Sequence, residues 1–288
     1  MKTQTGAILR WYLAALLAVL VLTGCSGVGK APVATDVGRD SQLTVSTATE
    51  TQIIQGMSVE YLGKAIDPVS GKTVEGYLFR HPVGLDWSLA EADRIAAATD
   101  TCYGFLADGA KWKHIESWLV NPAKAGLTGS FILSNMTSDI AKWEDAADGV
   151  PGDGSYIDIL GNGSLTNSKL SLSKGKPNGK NAVLFGKLGA STIAVTIIWG
   201  VFSGPVENRE LIEWDQQYNT AFAWSMSGEP GKMDFENIAT HELGHSCGLD
   251  DQYSSACSEV TMYGYASYGE TKKRTLEDPD ITGISTLY

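Results

Sequence analysis

Residues 241–251 read HELGHSCGLDD, and the order of histidine, carboxylate and glycine in this stretch decides the architecture around it. His241 and His245 are four apart, which on a helix puts both imidazoles on one face, about one turn apart. Two neutral imidazole nitrogens so placed can reach one zinc ion, which usually takes four ligands. Glu242 adjoins the first histidine. A carboxylate there can face the remaining coordination position without binding the metal, and can take a proton from water. Gly248 follows His245 by three residues and can end the helix through a positive φ, turning the chain back toward the ion. Beyond the turn stand Asp250 and Asp251, either of which offers an oxygen ligand of suitable chemistry. The whole chain holds four histidines, so two in one motif is not a by-product of histidine-rich composition.

Working outward, Asp234 can cap a helix from about Phe235 to Cys247. Ile193–Phe202 upstream is apolar on both faces, as a buried strand is. Arg209–Tyr218 alternates and reads as the next strand, while Ala182–Phe185 and Ile115–Val120 are shorter strand candidates. Phe131–Ala147 places Ile132, Met136, Ile140, Trp143 and Ala147 roughly on one helical face. Residues 148–180 are rich in Gly, Asp, Asn and Ser and predict a long excursion. Within it, Gly149–Asn167 has the oxygen donors that Ca2+ prefers, although EF-hand spacing is absent and a polar loop has the same composition. Strands mixed with helices in this way give an α/β (α+β) domain over residues 110–288.

The motif and its neighbours resemble the metzincin clan of zinc peptidases, in which HExxHxxGxx is followed by His or Asp. His241, Glu242, His245 and Gly248 match that pattern, and its spacing favours Asp251 over Asp250 for the last place. The matrixin-like branch usually carries His there; the Asp is similar to the variant of small bacterial metzincins and archaeal matrixin-like peptidases. TMYG at 261–264 resembles the Met-turn, with Met262 as the apolar floor below the metal. LEDPDITGISTLY at 276–288 resembles the closing helix of matrixins.

The resemblance implies a twisted mixed sheet with an antiparallel edge strand, two long helices, a Met-turn and a C-terminal helix. It implies a zinc-dependent endopeptidase with one catalytic Zn2+ on His241, His245 and Asp251, and with Glu242 as general base. Ile193, Ala194, Val195, Thr196 and Ile197 would belong to the edge strand, which pairs with an extended protein or peptide substrate by strand addition. Tyr263 and Tyr265 border the expected specificity pocket. The helping tyrosine of astacin-like members falls on Gly264 here, so Tyr265 as an oxyanion donor is out of register. A metzincin scaffold that only binds at the cell surface is the alternative reading. Glu242 argues against it, because a pure metal site does not need that carboxylate.

The N-terminus reads differently. Lys2 and Arg10 flank the apolar run at 11–24, WYLAALLAVLVLTG, which spans about 21 Å as a helix, short of a roughly 30 Å hydrocarbon core. Residues 1–24 therefore read as a signal peptide. LTGC at 22–25 resembles the lipobox of prokaryotic lipoproteins, which implies lipidation of Cys25, a membrane anchor and an extracytoplasmic location. Residues 25–58 read as a lipidated cysteine and flexible tether, poor in large apolar side chains. Residues 59–109 form a small N-terminal region of unknown role, a propeptide-like cover among the options, with a helix expected over Leu89–Ala107 after the Ser88/Glu91 capping pattern. The formal net charge of −11, made more negative by losing Lys2 and Arg10, excludes a phosphate-binding surface for nucleic acid.

Three further cysteines remain: Cys102, Cys247 and Cys257. Disulfides persist outside the cytoplasm. Cys247 with Cys257 would clip the loop after the active helix; Cys102 with Cys257 would tie the N-terminal region to that loop. Cys102 as an inhibitory zinc ligand lacks the flanking residues of the matrixin propeptide switch. His81 and His114 have no ligand spacing and read as surface or packing histidines.

Overall fold

The computed structural model describes residues 52–54, 57–84 and 101–288. The signal segment, Cys25 and most of the expected tether lie outside the described residues. In chain order the elements are β1 (Gln52–Ile54), β2 (Met57–Ile66), β3 (Thr73–Pro82), β4 (Lys111–Trp112), β5 (Trp118–Asn121), α1 (Gly129–Ala146), β6 (Gly163–Leu165), β7 (Asn181–Gly186), β8 (Thr192–Val201), β9 (Glu210–Asn219), β10 (Trp224–Ser225), β11 (Met233–Asp234), α2 (Phe235–Cys247) and α3 (Asp278–Leu287).

One nine-stranded mixed sheet has the order β1-β2-β3-β8-β9-β7-β5-β6, with β4 paired to β9. Strands β6, β5, β7 and β9 are parallel, and β8 lies antiparallel to β9. The apolar run at 193–202 thus forms the antiparallel strand that the fold required. It is not, however, an edge. β3 pairs along its other side, from Glu75 opposite Gly200 to His81 opposite Ala194. The expectation that Ile193–Ile197 offer a free strand to a substrate is therefore corrected: in this structure both sides of β8 are hydrogen-bonded within the chain. The β2–β3 hairpin joins the same sheet as the strands after residue 110. Residues 52–54 and 57–58, at the end of the expected tether, are strand.

Both long helices pack against one another and close the sheet. α1 starts where Thr128 accepts a hydrogen bond from the Phe131 amide, satisfying one of the unpaired donors of the first turn. Its buried face is Ile132, Met136, Asp139, Ile140, Trp143 and Ala146. Each large apolar side chain of that face contributes about 1.5–3 kcal/mol by leaving water. Trp143 Nε1 donates to the Thr240 carbonyl, 2.9 Å away, which fixes α1 against α2. Gly244 is where the helix must come close to its neighbours: a Cβ there would sit 2.2 Å from Met262 Sδ and 3.0 Å from Trp143.

Two expectations in the first half are revised. The strand read over Ile115–Val120 begins only at Trp118, where pairing to β6 and β7 starts; Ile115 is exposed. The helix read over Leu89–Ala107 lies largely outside the described residues, and its described end, 101–107, is not helical. Cys102 has φ 54° and is tied to Cys257, and Phe105 bridges Leu249. Those long-range ties override local helical spacing.

Candidate metal centre

α2 forms for local reasons. Asp234 caps it by accepting from the Asn237 amide at 3.0 Å. Gly248 ends it with φ 108°, a left-handed conformation that a side chain disfavours. The chain beyond Gly248 turns back and brings Asp251 to the two histidines. Asp251 Oδ1 lies 3.2 Å from His241 Nε2 and 3.5 Å from His245 Nε2. Asp250, the competing carboxylate, is engaged elsewhere: its Oδ1 accepts from the Asp251 amide at 2.9 Å, and its own amide donates to the Gly104 carbonyl.

The atoms that face one another at this point fit a zinc ion. His241 Nδ1 is 2.8 Å from the Thr261 carbonyl and His245 Nδ1 is 2.9 Å from the Leu249 carbonyl. A carbonyl can only accept, so in neutral rings both protons sit on Nδ1 and both Nε2 lone pairs point inward. His241 Nε2, Asp251 Oδ1 and Glu242 Oε1 are buried with no hydrogen-bond partner among the described residues. Buried acceptors aimed at each other are unfavourable without a cation between them. Two imidazoles and a carboxylate are a zinc donor set, and the three ligand atoms lie within 4.8 Å of one another.

Electrostatics agree with that arrangement. Burial alone pushes the Asp251 carboxyl up, but His245 and His241 beside it hold it well below its ordinary value. Burial lowers His245, while the adjacent Asp251 raises it to about 9. A cation held there would have to displace that proton. Burial, then the Lys273 charge, brings His241 down to about 4, which keeps this ligand neutral. Burial pushes Glu242 up to about 7, against the opposing effects of His245 and the hydrogen bond from Thr196.

Met262 is buried below the helix, its sulfur against Gly244, where the Met-turn was expected. α3 fixes that turn. The buried Asp280 carboxylate accepts from the amides of Thr261 at 2.8 Å and Met262 at 3.2 Å, and caps its own helix at Glu277. Tyr263 and Tyr265 lie beyond the turn and pack edge to face on each other. The tyrosine at the ligands is instead Tyr253, whose hydroxyl donates to Asp251 Oδ2 at 2.8 Å.

Sequence reasoning missed four participants. Tyr253 orients the carboxylate ligand. Thr196, read only as a strand residue, donates through its hydroxyl to Glu242 Oε2. Lys273 is fully buried and donates to the Tyr263 and Tyr265 carbonyls. His81, read as a surface or packing histidine, is buried with its ring 4.1 Å from that of His241 and its Nδ1 3.3 Å from Glu242 Oε1. None of these has ligand-like spacing in the sequence; Lys273, as the one fully buried lysine among the described residues, announces itself only once burial is known. His114 is exposed, as read. The pairing of cysteines is settled as Cys102–Cys257, which leaves Cys247 a buried thiol and removes Cys102 as a metal ligand.

A helix-borne histidine pair, a returning carboxylate and a methionine beneath them, set below a mixed sheet, define a metzincin-like α/β metal centre. Comparison with known families agrees: the family model of Matrixin matches residues 204–288, from the loop before β9 to the last residue. The segment that matches this model and the buried ligand cluster support classing the chain as a zinc metalloendopeptidase. A search of the curated proteins finds no match.

The carboxylate assignment makes a direct prediction. Asp251→Ala is expected to leave the purified protein without stoichiometric zinc after dialysis, and Asp250→Ala to retain it. Metal analysis of the two variants checks this; equal retention would reassign the third ligand.

Proposed function

We propose that the chain hydrolyses internal peptide bonds of extended polypeptides, with His241, His245 and Asp251 holding zinc and Glu242 as general base. Zinc held there supplies Lewis acidity, which makes water a nucleophile near neutral pH and polarises the scissile carbonyl. The protein supplies the proton path. Glu242 Oε2 is held by the Thr196 hydroxyl, which leaves Oε1 to take the water's proton and to return it to the departing amine. A proton affinity near neutrality suits a group that must do both. The two imidazoles are fixed in tautomer and orientation by backbone carbonyls, and Tyr253 fixes the carboxylate, so the donor set is preorganised.

The observation that carries this reading is the orphaned acceptor set at the centre of a matrixin-like fold. Casein or a peptide library tests it. Cleavage is expected, lost on chelation and restored by zinc; zinc-loaded protein with an open cleft and no cleavage would leave only the binding scaffold.

The same proposal includes export and a lipid anchor at Cys25. Its support is the LTGC sequence at 22–25 and a disulfide between distant residues, the state favoured outside a reducing cytoplasm. Cys25→Ala is expected to move the protein from the membrane fraction to the soluble fraction and to abolish fatty-acid labelling. Unchanged fractionation and labelling would count against the anchor.

A further inference from the structure

We propose that β3 is an internal occupant of the substrate cleft and that His81 closes the remaining coordination position of the metal, so that the described form is latent. The inference rests on the zinc-peptidase reading and specifies how that site is regulated.

Two surfaces have to be free for an extended peptide to reach the centre: the outer side of β8 and the segment just beyond Met262. One continuous stretch of this chain covers both. β3 hydrogen-bonds to β8 antiparallel over eight residue pairs, ending with His81 opposite Ala194 and Pro82 opposite Thr192. The chain then runs on so that Val83 bridges Ala266 in parallel and the Gly84 amide donates to the Ala266 carbonyl at 2.8 Å. Residues 75–82 are thereby held on β8, as a strand-adding ligand would be, and residues 83–84 on the segment beyond Met262.

Its side chains cover the chemistry. The Phe79 ring stacks on His245 with centroids 4.7 Å apart. His81 packs on His241 and directs Nδ1 at Glu242 Oε1, 3.3 Å away. His81 Nε2 is 3.3 Å from Lys273 Nζ, a donor that holds the ring in place from behind. A lysine ammonium has no lone pair to offer, so Nε2 is the acceptor, the neutral ring carries its proton on Nδ1, and in this form Nδ1 faces the Glu242 carboxylate. His81 Nδ1 is also buried with no hydrogen-bond partner of good geometry among the described residues. His81, His241 and Glu242 form a second group whose ligand atoms lie within 4.8 Å of one another, sharing His241 with the first. With zinc loaded, the Nδ1 proton would pass to Glu242 Oε1 while the Lys273 ammonium gives one to Nε2, so that the ring stays neutral and Nδ1 becomes the fourth donor and the third nitrogen beside His241, His245 and Asp251. His241, Glu242 and His245 are buried almost completely beneath this strand. Turnover then requires β3 to leave β8.

Cobalt-loaded full-length protein tests this, with acetohydroxamate as a small chelating probe and visible absorption of the metal as the readout. All of wild type, His81→Ala and His81→Gln are expected to bind one cobalt. The wild-type spectrum is expected to resist the probe, with an apparent affinity weaker than that of either variant by about tenfold or more, because only the open fraction can bind. A wild-type spectrum that responds as readily as the variants overturns the proposal without need of any folded variant. Resistance that persists undiminished in both variants overturns the role of His81. Failure of wild type to bind cobalt at all overturns the underlying metal reading, an outcome distinct from a loaded but accessible centre.

Discussion

Glu242→Gln is expected to keep its zinc and to lose peptide hydrolysis by about 10²–10⁴ in kcat, the range over which a positioned general base contributes. The amide has nearly the shape of the carboxylate, and its oxygen can still accept from the Thr196 hydroxyl that holds Glu242 in place. Neither histidine nor Asp251 changes partner, so metal content stays stoichiometric. What disappears is the group that takes a proton at Oε1. Because the fully buried site penalises a charged carboxylate, the neutral amide is tolerated or favoured by the fold, and a loss of rate is not a loss of structure. KM is expected to change little, since a proton acceptor acts in the transition state more than in substrate binding. Steady-state kinetics with zinc analysis on the same samples checks the claim; hydrolysis at the wild-type rate by the loaded variant would remove Glu242 from the mechanism.

The centre was legible where its determinants are local. In α2 the cap at Asp234, the histidine spacing, the terminating Gly248 and the returning Asp251 fall within eighteen residues of sequence, and each acts on its own neighbours. The α1 stripe and the apolar run that became β8 were legible for the same reason, because periodicity is a short-range signal. Pairing is not. Nothing in TVEGYLFRHP at 73–82 states that its partner is β8. Its polar residues, Glu75, Arg80 and His81, break simple alternation, and Glu75 and His81 are nonetheless buried. A strand covered on both faces loses the alternation that reveals a half-exposed one. His81 was therefore read as isolated: its significance comes from α2 and Lys273, both far along the chain. The helix expected over 89–107 fails in its described part for a related reason, since Cys102 and Phe105 answer to distant partners rather than to their neighbours.

Cys102→Ala is expected to destabilise the protein by about 2–5 kcal/mol, near the upper end of what one cross-link contributes, because the bond closes a long loop. The two cysteines are 155 residues apart in sequence, and the entropy removed from the unfolded chain grows with the logarithm of that length. The loop includes β4 through α2, so the whole ligand-bearing unit is enclosed. In the folded state the bond anchors the turn at 255–257, just after Asp251 and Tyr253, to the stretch that follows β3. Cys257 is buried beside Val260 and Thr261 at the approach to the Met-turn, so cutting the link also loosens the segment that shapes the floor of the site. Denaturant unfolding of the wild type and the variant, both zinc-loaded, checks the size. The midpoint is expected to fall while the m-value rises, because an unfolded chain without the cross-link exposes more surface. Adding reductant to wild type is expected to reproduce the shift and to leave Cys102→Ala unchanged; an equal response of both proteins would place the stabilisation elsewhere than in this bond.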